Sequence, residues 1–420
     1  MGFAIRYRNR VLALLSLLTV ITYLDRVCIS VAGPRMQQAL QIGPSAWGWV
    51  TGIFALSYAL FEMPSGILGD RIGPRKVLAR IVLWWSVFTS LTGLAMGFYP
   101  LLLTRFLFGA GEAGAYPNAS IAIARWFPLR ERGRAFGIIL MASQLGGMVA
   151  PLLVVPIQIH YGWRASFYVF GILGAAWSAI WFAWFRDSPR EKPGVSQAEL
   201  AETSGLPLKP HRGLPWKFAL RSANFWAVLA VSFSYFYTIY FFQSWFHTYL
   251  VKAHGFSEHD LLLSSLPFLV AAAANFSGGW VSNAFVGRFG LKWGRRSIGL
   301  IGLAVAAPST FAVIFAHRGL WALILLSLAY GGITLQQPIL IAVNLDIGGE
   351  YAGAVVGAMN TASQLGSLAS SLAFGYLVAR FGNYNLPFVP MAALSLIGFL
   401  RWLKVDASRP LVPSAKGVAA

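Results

Sequence analysis

The sequence predicts an all-α integral membrane protein, with twelve transmembrane helices in two pseudo-symmetric six-helix bundles. Three observations predict it. Of 420 residues, 57% are hydrophobic and 11% charged, against about 25% charged in a soluble domain. Apolar runs near the roughly 20 residues that a helix needs to cross a bilayer recur along the whole chain. The two halves also repeat: Ala142-Ser143-Gln144-Leu145-Gly146 returns as Ala362-Ser363-Gln364-Leu365-Gly366, and Gly133 and Gly137 are matched by Gly353 and Gly357 at the same offset.

The first run, 11–33, follows a basic segment but is too long for a signal-peptide core and contains Asp25–Arg26, so it reads as a retained helix. Runs at 47–69, 77–97, 101–124, 134–158 and 165–185 complete a first bundle within residues 1–186. Residues 187–222 carry Pro189, Pro193, Pro207, Pro210 and Pro215 among charged residues and read as a cytoplasmic linker, helical in part around Ser196–Glu202. The second bundle, 223–420 with a cytoplasmic tail, has runs at 224–250, 261–286, 297–316, 321–345, 352–379 and 385–403. Parallel repeats of this kind suit alternating access around a central site.

The net charge of +19 resembles a nucleic-acid signal until its positions are read. Lys and Arg gather in alternate loops: Arg6, Arg8 and Arg10; Arg71, Arg75, Lys76 and Arg80; Arg125, Arg130, Arg132 and Arg134; the stretch Arg186 to Arg221; Arg288, Lys292, Arg295 and Arg296; and Arg401, Lys404, Arg409 and Lys416. The intervening loops carry only Arg35, Arg164, Lys252, Arg318 and Arg380, while one loop expected inside, Asp346–Glu350, is acidic. This asymmetry follows the positive-inside rule and places both termini in the cytoplasm of a multi-pass inner-membrane protein. Its basic loops meet anionic lipid rather than nucleic acid. Cys28 is the single cysteine, so neither an intramolecular disulfide nor a multi-cysteine metal site can form. The six histidines show no metal-ligand spacing and there is no phosphate-binding loop, so neither cofactor nor metal is expected, and no nucleophile–base arrangement suggests an enzyme.

Four charges lie inside the apolar runs: Asp25, Arg26, Arg105 and Glu112. Ionisable groups there cost roughly 2.5–3.5 kcal/mol each on insertion scales and usually mark a path for an ion or proton. Arg105 and Glu112 are seven apart, two turns along one helical face, and Tyr116 follows Glu112 by four. Burial favours the neutral acid and a nearby arginine the carboxylate, so a balanced acid can take and release a proton. The competing reading is a structural ion pair. Asp25 and Arg26, adjacent on a helix, point about 100° apart; one can face the cavity while the other pairs with a neighbour, Asp25 with Arg105 for example. Tyr23, Tyr58, Gln144, Gln336, Gln337, Asn360 and Gln364 also fall in apolar spans, either completing a pocket or joining helices. Tyr240, Gln243 and Trp245 can present an aromatic wall to a sugar ring, and Glu62 reads as an interhelical partner. Asp70, with Arg71 and Arg75, reads as a cytoplasmic gate latch in which a carboxylate satisfies a helix N-terminus or an arginine.

The segment Gly66-Ile67-Leu68-Gly69-Asp70-Arg71-Ile72-Gly73-Pro74-Arg75-Lys76 resembles the loop 2–3 signature of the major facilitator superfamily, with a degraded second copy at Gly279-Trp280-Val281-Ser282-Asn283 and Gly294-Arg295-Arg296. Tyr23-Leu24-Asp25-Arg26, Arg105 through Gly111-Glu112-Ala113-Gly114-Ala115-Tyr116-Pro117, and Trp126-Phe127-Pro128 through Glu131-Arg132-Gly133-Arg134-Ala135 resemble its anion:cation symporter family, which includes bacterial galactonate, hexuronate and glucarate transporters. The resemblance implies a proton symporter importing a sugar acid (aldonate, uronate or aldarate), functional as a monomer. Glu112 and Asp25 would be its proton sites, and Arg26, with Arg105, would meet the substrate carboxylate. Gln144 and Asn360 resemble positions that bind sugar hydroxyls; Tyr23, Tyr58, Tyr116, Gln364, Gln337 and Tyr240 complete the expected substrate set. His247 departs from the pattern, where related sequences often carry proline. An exchanger or uniporter, or a non-transporting sensor of the same fold, remains an alternative.

Overall fold

A computed structural model of the chain describes residues 6–203, 215–257 and 259–411. The chain forms two compact units, Met1–Leu208 and Lys209–Ala420. The first holds α1 (Tyr7–Ala39), α2 (Pro44–Ile72), α3 (Pro74–Leu94), α4 (Phe98–Glu112), α5 (Ala115–Trp126), α6 (Leu129–Tyr161), α7 (Trp163–Trp184) and the short α8 (Gln197–Thr203). The second holds the short α9 (Trp216–Arg221), then α10 (Ala223–Ser244), α11 (Phe246–His254), α12 (Ser265–Val313), α13 (Gly319–Leu335), α14 (Gln337–Gly348), α15 (Ala352–Phe381) and α16 (Phe388–Trp402).

Three expected helices are each built from two pieces. The fourth breaks at Ala113–Gly114 between α4 and α5, the seventh at Trp245 between α10 and α11, and the tenth at Gln336 between α13 and α14. Conversely, the helices expected at 261–286 and 297–316 join as α12. They meet at Gly290, whose φ of 76° and ψ of 169° are non-helical. Gly73 makes a like turn between α2 and α3, at φ 87° and ψ 148°. Only glycine reaches this region without strain, so one residue does the work of the loop expected between 286 and 297. With broken pairs joined and α12 divided at Gly290, the described residues give six apolar helices in each unit.

Among the described residues, eight helical stretches are long and apolar enough to cross a membrane. One of them, Asp260–Val313, has 54 residues, about 80 Å of helix and enough for two crossings. Large apolar side chains face outward, Trp280 at 76% exposure and Ile172 at 69%, whereas Asp25, Arg26, Arg105 and Glu112 are buried. That inversion suits a lipid solvent rather than water.

Helix pairing is the same in both units. The first and fifth helices pack together (α1 on α6, α10 on α15), and the second and fourth likewise (α2 on α4, the first arm of α12 on α13). The third and sixth complete the scheme (α3 on α7, the second arm of α12 on α16). The five-residue repeat sits at one of these contacts. A Cβ on Gly146 would run into the backbone oxygen of Val20 on α1, and one on Gly366 into that of Phe233 on α10. Small residues that let two backbones approach hold helices together in lipid, where the hydrophobic effect does not. The upstream Gly133, Gly137 and Gly357 have open space around the same position.

Gly146→Val and Gly366→Val are therefore expected to lose about 1–3 kcal/mol each by overpacking, visible as a lower Tm of the purified protein. Gly133→Ala and Gly357→Ala should leave Tm unchanged or slightly raised. Equal losses at all four positions would refute the close-packing role.

Candidate functional site: a buried arginine–carboxylate cluster

Five helices of the first unit bring one charged cluster together. From α1 come Tyr23, Asp25 and Arg26; from α2, Phe54 and Tyr58; from α3, Trp85; from α4, Arg105, Phe108 and Glu112; and from α5, Tyr116. Arg26 donates from Nε to Glu112 Oε1 at 2.5 Å, with its Nη2 also 2.5 Å from that oxygen. Glu112 is fully buried, and its Oε2 has no hydrogen-bond partner among the described residues. The break after α4 fixes this placement. Glu112 ends the helix, and Gly114 just beyond it packs so closely on Ser65 and Ile81 that a Cβ would collide with both.

Aromatic faces line the cations. The Arg26 guanidinium lies 5.0 Å from the Tyr58 ring centre, 5.1 Å from that of Phe54 and 5.7 Å from that of Tyr23. Arg105 lies 5.2 Å from Phe54 and 4.5 Å from Phe108. Phe54 thus serves both arginines. A cation over a desolvated ring is stabilised by up to about 2 kcal/mol, which offsets part of the cost of removing it from water.

Asp25 turns to the other side of α1, as the 100° step requires. Its electrostatic neighbours are Glu112, Arg105 and the Trp85 indole, and neither carboxylate oxygen has a hydrogen-bond partner among the described residues. Tyr116, partly exposed, neighbours Tyr23, Arg26, Ser143 and Glu112. Gln144 is buried on α6. In the second unit Tyr240 on α10 and Gln364 on α15 are buried, and Asn360 on α15 is partly exposed. Gln337 accepts a hydrogen bond from Asn275 Nδ2 at 2.5 Å, and Gln336 accepts one from the Trp402 indole at 2.6 Å. These amides join helices of their own unit.

At the proposed latch, Asp70 and Arg71 are exposed at the end of α2. Arg75 donates to the Phe182 carbonyl at 2.9 Å, and its own backbone N–H goes to Asp187 at 2.9 Å. The carboxylate at the start of α3 is thus Asp187, which the sequence reading did not single out. Phe54, Phe108 and Trp85 were also missed, although Phe54 lies four before Tyr58 and Phe108 three after Arg105. No group of three or more His, Cys, Asp or Glu suited to a metal occurs among the described residues.

Chemically, the cluster pairs a bidentate donor with an acid held through one oxygen. A proton on Glu112 would weaken that hold and free the guanidinium fork for another carboxylate, the geometry that arginine recognises best.

The Major Facilitator Superfamily profile matches residues 15–371 and 278–419. A probable sulfoacetate transporter of Cupriavidus necator is 34% identical over 408 residues, covering 96% of this chain and 94% of that protein. The hexuronate transporter of Bacillus subtilis is 27% identical over 98% of this chain and 97% of its own length. The D-galactonate transporter of Escherichia coli is 29% identical over 95% of each. Among solved structures, a bacterial homologue of the human lysosomal transporter Spinster, inward-facing and occupied, aligns with a TM-score of 0.76 at 21% identity. It covers 95% of this chain and 96% of that one, a likeness of fold.

Removing one partner of a buried ion pair costs about 3–5 kcal/mol because the other charge is left uncompensated. Glu112→Ala is therefore expected to lower Tm sharply, and Glu112→Gln, which keeps an acceptor for Arg26, by much less. Indistinguishable melting of the two variants would contradict the pairing.

Proposed function

The chain belongs to the major facilitator superfamily, and from that premise we propose that it imports an organic anion, a sugar acid of the aldonate, uronate or aldarate class, together with protons. The single observation that carries this reading is the Arg26–Glu112 pair. It is buried in a membrane-spanning bundle, with one carboxylate oxygen engaged and the other bare. The names of the hexuronate and D-galactonate relatives support the substrate class.

In this scheme Glu112 and Asp25 carry the protons. Protonated Glu112 yields Arg26 to the substrate carboxylate, and Arg105, which shares the Phe54 ring, adds positive potential. Tyr23, Tyr58, Tyr116 and Gln144 offer hydroxyl and amide partners to a polyol chain. The carrier reorients when the site is empty or fully loaded, because a half-loaded site leaves an unpaired buried charge. Basic loops keep the termini in the cytoplasm of a cell with this protein in its inner membrane, and Asp70, Arg71 and Arg75 latch the cytoplasmic side. The sulfoacetate relative favours a second reading of the substrate, a short sulfonate that needs the arginine fork but not the hydroxyl partners.

Uptake into proteoliposomes under an imposed pH gradient tests the proposal, with D-galacturonate, D-galactonate and sulfoacetate as probes. Wild type is expected to accumulate one of them more than 10-fold only while the gradient lasts. Glu112→Gln should lose gradient-driven accumulation, and Arg26→Ala all uptake. Gradient-independent uptake with a fully active Glu112→Gln rejects coupling, and sulfoacetate as the sole cargo selects the second reading.

A further inference from the structure

The segment after α7 is fastened to the helices around the cluster by two carboxylates. Asp187 Oδ1 accepts the backbone N–H of Arg75 at 2.9 Å, in the first turn of α3, and lies 3.5 Å from the Arg125 guanidinium at the end of α5. A Cβ on Gly73 would occupy the place of this carboxylate. Further along, Ser196 caps α8 by accepting the N–H of Glu199 at 3.2 Å. Glu199 sends its own carboxylate to another helix, accepting the N–H of Tyr7 at 3.2 Å and of Arg8 at 2.8 Å in the first turn of α1. Helix N-termini have orphan donors and a partial positive charge, and a carboxylate answers both. Here two helices receive theirs from one distant stretch of chain.

Further contacts tighten the same stretch. Arg8, nearly buried, meets Glu202 at 2.5 Å and, in the first turn of α6, Glu131 at 3.4 Å. Tyr7 stacks on Trp184 with ring centres 6.1 Å apart, and Lys192 sits 4.4 Å above the Trp184 ring. Surface ion pairs alone stabilise little. Glu199 is only 3% exposed and Arg8 4%, so the capping carboxylate and this arginine are held away from water.

We propose that residues 187–203 are a clasp of the first bundle. Asp187 and Glu199 are positioning residues that set α3 and α1 in register and stay engaged while the bundle moves as one body. α1 runs unbroken from Tyr7 to Arg26, about 28 Å at 1.5 Å per residue, so the setting made by Glu199 reaches the guanidinium that holds Glu112. The claim about the transport cycle rests on the transporter reading above; the capping claim does not.

Two measurements on the full-length protein test it. Amide hydrogen exchange at residues 7–9 should quicken at least 10-fold in Glu199→Ala, remain near wild type in Glu199→Gln, and be unchanged in peptides of α15. Next, Arg6→Cys and Glu202→Cys in a Cys28→Ala background, joined by a short bis-maleimide, should retain at least half of gradient-driven D-galacturonate uptake. Glu199→Ala should raise KM several-fold with Vmax less affected. Unchanged exchange in Glu199→Ala overturns the clasp. Loss of uptake on cross-linking alone overturns its permanence. Should wild type carry none of the probes, the transporter reading fails while exchange still decides the clasp.

Discussion

The pairing of Arg26 with Glu112 sets the terms for the rest of the first unit. An arginine and a glutamate inside a membrane-spanning bundle lose their hydration, a penalty of several kcal/mol per ion even after relaxation. The fold answers with Coulomb attraction between the partners and with aromatic faces over both guanidinium groups. The Phe54 ring lies 5.1 Å from Arg26 and 5.2 Å from Arg105, so two like charges share one ring while each has an acid among its neighbours. These contacts confine the cluster to one geometry. They also leave Glu112 Oε2 and both Asp25 oxygens without a hydrogen-bond partner among the described residues.

The two units share geometry but not chemistry. The same helices pair in each, and the same glycine of the five-residue repeat stands at the same backbone approach. Close approach tolerates almost no side-chain variation, so this part of a duplicated unit stays alike. Polar groups face no such limit. Among the described residues of the second unit, Arg296 and Asp406 are buried only near helix ends, and neutral amides such as Gln336 and Asn275 occupy its interior.

How much was legible follows from the same contrast. A charge in an apolar run is conspicuous, and Asp25, Arg26, Arg105 and Glu112 were identified from the sequence for that reason. Phe54, Phe108 and Trp85 were not, because aromatics make up 15% of the chain and most only pack. Hydropathy reports runs, not hydrogen bonds, so the breaks at Gly114, Trp245 and Gln336 stayed invisible while apolarity continued across them. Basic residues around Lys292 suggested a loop, yet Lys and Arg are good helix formers and one glycine suffices to turn the chain. Asp187 and Glu199 lie in a polar stretch where acids usually face water, and only the packing of α1 and α3 against that stretch shows their use.

The cluster of Asp25, Arg26, Arg105 and Glu112 is formally neutral with both acids ionised, so every proton it accepts adds one positive charge. A membrane potential acts on such a charge with about 2.3 kcal/mol per 100 mV for a full crossing. Under the proposed scheme voltage would pull on the first unit and hardly on the second, where Arg296 and Asp406 are the buried charged side chains among the described residues and both lie near helix ends. In that scheme a cell's electrical gradient would thereby gain a handle on which way the site faces, apart from any difference in acidity across the membrane.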